Sequence, residues 1–225
     1  MDEKKLLYQK KENTMFSFIV ASKNPMLLFR WYKHFVLSVC THDNFLKNFV
    51  TSDESLIFPD FLLKLNQMKE FYFKTHSDHD VRYFETFRSK SRQDYLFHSG
   101  ATHRHHYGMH YFCLAVDMTK WFNNSHHWNL DYDLLRRTGN SISITSLYPF
   151  EECHFQFIPV SMQNDFFDFA NQSIKCLQDL FNLKIDGDIG PITQGSILFN
   201  IDRLNEYFDN LESQIKHKIE DDKLK

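Results

Sequence analysis

The residues best suited to chemistry lie in three short segments. In HYFCLAVD, His110 stands seven residues before Asp117, and in EECH, Glu151 stands three residues before His154. Arg88 closes VRYFETFR. A catalytic zinc site takes three protein ligands from nitrogen, oxygen or sulfur donors and leaves one position open. His110, Asp117 and His154 meet that requirement. An ion held there would draw the pKa of water toward ~7. Glu151, a carboxylate outside the ligand set, is then the base that takes the proton, and Arg88 the cation that meets the developing oxyanion. Taken singly, each residue has a plainer reading: a solvated loop histidine, a capping aspartate, a salt-bridged arginine, a surface acidic pair Glu151–Glu152. Their joint occurrence in this order weighs against those readings.

The elements that must position them follow from periodicity. MLLFRWYKHFVLSV is apolar on most faces, which predicts a helix packed into other structure. PDFLLKLNQMKEFYFK begins at Pro59, a favoured first-turn residue, and carries Phe61, Leu65, Met68 and Tyr72 on one helical stripe. VRYFETF (81–87), CLAVDM (113–118) and HFQFI (154–158) read as strands, the last two as buried ones. SKSRQDYLFHSG reads as a short helix stopped at Gly100. A histidine-rich loop, ATHRHHYGMH, leads into the second strand. From about Ser161 the pattern becomes helical, interrupted by the turn cluster DGDIGP.

Over about residues 55–160 the order of these segments resembles the zinc D-alanyl-D-alanine carboxypeptidase (VanY-type) family, which includes phage L-alanyl-D-glutamate endolysins. The family pattern is roughly S-x-H-x-x-G-x-A-x-D, then E-x-x-H followed by an aromatic residue and Gln. GMHYFCLAVD supplies His110, Ala115 and Asp117, and EECHFQ supplies Glu151, His154, Phe155 and Gln156. ETFRSKSRQ resembles the upstream G-Y-R-S…Q segment through Arg88, Ser89 and Gln93. The resemblance implies zinc on His110, Asp117 and His154, Glu151 as general base and then acid, and Arg88 at the substrate or oxyanion. It also implies substrate contacts from Ser89, Gln93 and Gln156. The chain departs from the pattern at Gly108 (usually Ser), Cys113 (usually Gly) and Cys153 (often Trp). None of these removes a ligand or the base, but Cys113 alters packing around Asp117, and both thiols sit near the site. His106 is the rival to His110, at a spacing of eleven from Asp117. His103, His105, His106, His126 and His127 are otherwise unassigned: a polar loop is the favoured reading, and substrate contact or support of the ligands is the alternative.

NQSIKCLQDLFNLKIDGDIGPITQGSILFN resembles the small helical peptidoglycan-binding domain of wall hydrolases. Ile174, Leu177, Gln178, Leu183, Asp186, Gly187, Gly190, Pro191, Thr193, Ile197 and Phe199 match its pattern. An EF-hand reading of IDGDIG fails, because the twelfth position from Asp186 is Ile197, where calcium requires a bidentate Glu.

Composition sets outer limits. The 225 residues carry 26 Lys+Arg against 29 Asp+Glu, a net charge of −3 that supplies no basic surface for nucleic acid or an anionic membrane. No stretch approaches the ~20 apolar residues of a membrane span. Cys40, Cys113, Cys153 and Cys176 are irregularly spaced, as expected of free thiols. The opening MDEKKLLYQKKENTMF lacks a clean apolar core before small residues, so no signal peptide is expected. The expectation is synthesis in the cytoplasm and action on the wall after release, as through a phage holin pore. The fold expected by resemblance is α+β: a small antiparallel sheet with flanking helices carrying the zinc site, plus a small all-α C-terminal domain. The expected divisions are a helical extension at 1–50, a peptidase domain at 51–160, a wall-binding domain at 161–215 and a frayed polar tail at 216–225. The function expected is a zinc peptidase of peptidoglycan stems, leaning to the L-Ala-D-Glu bond. A D-Ala-D-Ala carboxypeptidase, a non-catalytic wall binder and a metal-storage protein are the alternatives.

Overall fold

The computed structural model describes residues 14–102 and 107–224. Among them His103, His105 and His106 are not included, so the expectations for these three fall outside the described residues. The chain divides into two compact units, one from His42 to Asn164 and one joining the described residues up to Thr41 with those from Asp165 onward.

The first unit is α+β and is built on a five-stranded antiparallel sheet. Its strands are β1 (Asp80–Glu85), β2 (Ala115–Phe122), β3 (Ser125–His127), β4 (Thr145–Leu147) and β5 (Glu151–Gln156), in the order β1-β2-β5-β4, with β3 also on β2. β2 is the axis of the sheet. One edge pairs with β1 along its length, while the other pairs with β5 over residues 115–117 and with β3 over residues 120–122. At the gap between those two partners, the Tyr132 hydroxyl donates to the Met118 carbonyl (3.0 Å), so the backbone acceptor is satisfied.

Helix α1 of this unit (Pro59–Phe73) starts with proline at its first turn and buries Phe61, Leu65, Met68 and Tyr72, the stripe read from the sequence. Each is 0% exposed, and a buried side chain of this size stabilises by roughly 1.5–3 kcal/mol. Helix α2 (Lys90–His98) is capped by Ser89 and stops before Gly100, whose φ of 76° lies in the left-handed region that glycine tolerates. Helix α3 (Tyr132–Ser141) is capped by Asp131, which accepts from the Leu134 amide (2.9 Å). Neither α3 nor the β2–β3 hairpin figures among the elements read from the sequence.

The second unit is helical. It contains α4 (Pro25–His34, continued by a π-helical turn at Phe35–Val39), α5 (Gln163–Leu180, from Asp165 onward), α6 (Pro191–Phe199) and α7 (Ile201–Lys223). Its core is aromatic. Trp31 stacks on Phe35 and meets Phe166 edge-on at 4.8 Å, and Phe208 packs against Phe29 and Tyr32. The Tyr32 hydroxyl donates to the Ser173 carbonyl (3.2 Å). These contacts correct the expected division at 1–50: the N-terminal helix is part of the C-terminal helical unit, because its all-round apolar surface needs those partners. The turn after α5 is organised by Gln178. Its Oε1 accepts from the amides of Asp186 (3.1 Å) and Gly187 (2.8 Å), and its Nε2 donates to Asp186 Oδ1 (2.7 Å). The expected frayed tail at 216–225 is also corrected. α7 runs to Lys223, anchored by Leu204, Phe208, Leu211 and Ile215 at helical spacing. Among the described residues, no helix is long and apolar enough to cross a membrane.

Candidate metal centre

Strand register creates the core of the site. Glu85 on β1, Asp117 on β2 and His154 on β5 lie in one row across three strands. Residues directly opposite in an antiparallel pair bring their side chains within contact distance. His110 joins them from the turn before β2. The amides of Cys113 (3.1 Å) and Arg88 (3.3 Å) donate to its carbonyl and fix its backbone. The chain leaves this turn through Cys113, whose φ of 55° is left-handed. This is the position where the family pattern has glycine, the residue that adopts such a φ without steric cost.

His110 Nε2, His154 Nδ1 and Asp117 Oδ1 form a triangle with sides of 3.2, 3.3 and 3.4 Å. With ligand bonds of ~2.0–2.1 Å, the edge of a tetrahedron around zinc is ~3.3 Å. The three atoms therefore fit one face of a tetrahedral coordination sphere. Among the described residues, this is the one group of three or more His, Cys, Asp or Glu side chains placed to share an ion.

The protonation states suit the same purpose. Burial holds the His110 imidazole below its ordinary pKa, favouring the neutral form that ligates metal. Burial alone would raise the Asp117 pKa, but the adjacent His110 and His154 outweigh it and hold the carboxyl well below the usual range. Burial, with the charges of Asp117 and Glu151, pushes the Cys153 thiol up to about 12, and Cys153 is not among the side chains placed to share the ion.

The surrounding shell orients the ligands. His154 Nε2 faces Gln156 Oε1 at 3.1 Å, which also accepts from Gln163 Nε2 (3.0 Å), while Gln156 Nε2 donates to the Ile158 carbonyl. With its amide nitrogen committed to a carbonyl, Gln156 presents oxygen to His154. The imidazole proton then sits on Nε2 and the lone pair of Nδ1 faces the triangle. His110 has no such support: its Nδ1 is buried without a hydrogen-bond partner. Arg88 donates to Glu85 through Nε (2.6 Å), to Asp117 Oδ2 through Nη2 (3.3 Å) and to Gln93 Oε1 through Nη1 (3.4 Å). Arg92 Nε donates to the other Glu85 oxygen (3.1 Å). Asp117 is thereby held by its second oxygen, with Oδ1 turned to the two histidines.

Glu151 stands beside the triangle and outside it. Its Oε2 is 3.6 Å from His154 Nδ1, and its side chain is 52% exposed. In a regular strand, residues three apart face opposite sides. Here the β4–β5 register shifts between Ser146 and Leu147, leaving Glu151 opposite Leu147 and Phe155 opposite Ser146. Such a bulge re-aims side chains.

The structure thus brings together His110, Asp117, His154 and Glu151, with Arg88 against Asp117. Arg88 is expected at an oxyanion, but its guanidinium is engaged by two carboxylates and an amide. Ser89, Gln93 and Gln156, expected as substrate contacts, are 1%, 4% and 1% exposed. Ser89 caps α2 and donates to the Lys47 carbonyl, and Gln93 and Gln156 support Arg88 and His154. Their polar atoms face protein, which replaces the expected substrate contact with a positioning role. His126 bonds Thr119 and packs against Trp121 and Phe84, while His127 bonds Ser125. Both lie apart from the triangle. Sequence reading missed Glu85 and Gln163. The spacing E-x-x-R in ETFR is a signal for Glu85, whereas nothing in the sequence marks Gln163.

No protein-family model matches this chain, and no curated protein matches it. Among solved structures, it is similar to the L-Ala D-Glu endopeptidase ChiX of Serratia marcescens. The identity is 17%, the coverage is 53% of this chain and 95% of that one, and the TM-score is 0.36.

Proposed function

We propose that the protein is a zinc-dependent peptidase that hydrolyses the peptide stems of bacterial peptidoglycan at the L-Ala–D-Glu bond. The observation that carries the reading is the triangle of His110 Nε2, Asp117 Oδ1 and His154 Nδ1 with the Glu151 carboxylate beside it. The motif resemblance over residues 55–160 supplies the substrate class, and the helical segment with its D-G-x-x-G-P-x-T core supplies a wall-binding role.

His110, Asp117 and His154 would hold zinc, which would supply Lewis acidity for a water and for the scissile carbonyl. Glu151 takes the proton from the attacking water and returns it to the leaving amine. Its partial exposure lets it meet substrate and exchange protons with solvent. Arg88 acts through Asp117. By binding Oδ2 it directs Oδ1 toward the ion, while Glu85 and Arg92 keep the guanidinium in place. Gln156 and Gln163 perform the same service for His154. The helical unit, as a wall-binding module, raises the local concentration of the peptidase on its polymer.

Digestion of purified sacculi with the zinc-loaded protein, followed by mass spectrometry of the released muropeptides, tests the reading. New amino termini at D-Glu are expected. Release of terminal D-Ala assigns the site to carboxypeptidase chemistry, and no release with zinc present leaves the protein a wall binder.

A further inference from the structure

A cavity of about 280 Å³ lies in the same unit as the candidate centre and has no part in the hydrolysis derived above. It lies between the start of α3 and the β4–β5 hairpin, and its walls include Asp131, Tyr132, Arg136, Tyr148 and Glu152. Two of these tie it to the centre. Glu152 follows Glu151 in the chain, and Tyr132 is bonded to the carbonyl of Met118, the residue after Asp117.

The lining carries both signs of charge. Arg136 lies over the Tyr148 ring at 4.1 Å and binds Asp133 Oδ1 through Nη2. Its Nε is buried without a hydrogen-bond partner. That N–H is enclosed by protein, so the donor left for an arriving group is Nη1, which makes no hydrogen bond among the described residues, and a guanidinium suits a carboxylate. Glu152 forms no ion pair among the described residues, and Asp131 adds a second carboxylate, with one oxygen on the α3 cap and the other 4.0 Å from His76 Nε2. The cavity therefore offers a cationic donor and anionic acceptors within one small volume.

We infer that this cavity receives a side chain ending in a zwitterionic centre, an ammonium and a carboxylate on one carbon. The inference rests on the peptidase reading and narrows its substrate. The stem residue beyond D-Glu is a diamino-dicarboxylic acid such as diaminopimelate. Lysine, which presents the ammonium alone, leaves Arg136 without its acceptor. Arg136 meets the carboxylate, Glu152 meets the ammonium, and the Tyr148 ring keeps the guanidinium flat against the wall.

Calorimetric titration of the zinc-loaded full-length protein with two γ-D-glutamyl dipeptides tests this, one ending in diaminopimelate and the other in lysine. Neither contains the scissile bond, so binding is read independently of hydrolysis. The diaminopimelate dipeptide is expected to bind about tenfold tighter. Arg136→Gln and, separately, Glu152→Gln should each bring the two affinities together, with circular dichroism showing an unchanged fold. Equal affinities for the unsubstituted protein, absence of binding by both dipeptides, or a preference that survives both substitutions overturns the subsite. A preference without hydrolysis of sacculi overturns the peptidase reading alone, and hydrolysis without a preference overturns the subsite alone.

Discussion

Asp117 and His154 face each other as direct partners across β2 and β5, with Asp117 Oδ1 3.4 Å from His154 Nδ1. An anionic oxygen and an imidazole lone pair this close are favourable when a cation joins them. The sheet register, more than any loop, sets the geometry of the proposed centre, and rigid elements hold ligands more precisely than loops do.

The first prediction separates binding from chemistry. Glu151 lies outside the ligand triangle, so Glu151→Gln should retain about one zinc per chain while hydrolysis of sacculi falls by roughly 10²–10⁴-fold. Zinc content by mass spectrometry and release of new amino termini check the two halves. Turnover close to that of the unsubstituted protein would remove Glu151 from its role.

A second prediction concerns the His154 support. Gln156→Leu removes the acceptor for the His154 Nε2 proton and releases Gln163 as well. Zinc affinity should drop about 10–100-fold, measured by competition with a chelator of known strength. An unchanged affinity would show that the imidazole needs no orientation by Gln156.

The buried pair of Glu85 with Arg88 and Arg92 gives a third. Glu85→Gln leaves two guanidinium groups short of their counter-charge, and the protein should lose about 3–5 kcal/mol of stability. Urea denaturation of the zinc-free protein should show a lower midpoint with an unchanged slope. Zinc affinity should weaken too, since Arg88 then holds Asp117 less firmly. A midpoint within error of the parent would contradict the role given to this network.

The helical unit supplies a fourth. Gln178 serves the amides of Asp186 and Gly187 from a nearly inaccessible position, 1% exposed. Gln178→Leu strands the buried Gly187 amide, at about 1–3 kcal/mol, and leaves the exposed Asp186 amide to water. A lower melting temperature and faster amide exchange at residues 186–188 are expected. Unaltered exchange there would contradict the anchoring role.

Much of the centre is legible in the sequence, because ligand types and spacings survive in one dimension. His110, Asp117, Glu151 and His154 are named by their motifs, and α1 by its stripe of Phe61, Leu65, Met68 and Tyr72. What is not legible depends on register. The β1 bulge that sets Glu85 opposite Asp117 makes Arg88 a partner of carboxylates, and the β5 bulge turns Glu151 toward His154. Neither irregularity has a mark in the residues. Cys113 is an intermediate case: the pattern flags it as a replaced glycine, and its φ of 55° supplies the reason. Union of the N-terminal helix with the C-terminal helices rests on contacts such as Trp31 with Phe166, too distant in sequence for periodicity to pair.

The most direct measurement is anomalous diffraction at the zinc absorption edge from crystals grown with stoichiometric zinc. A single strong peak is expected about 2.0–2.1 Å from His110 Nε2, Asp117 Oδ1 and His154 Nδ1, absent in His154→Ala. A peak elsewhere, or none at these three atoms with zinc present in the crystal, would contradict the proposed centre.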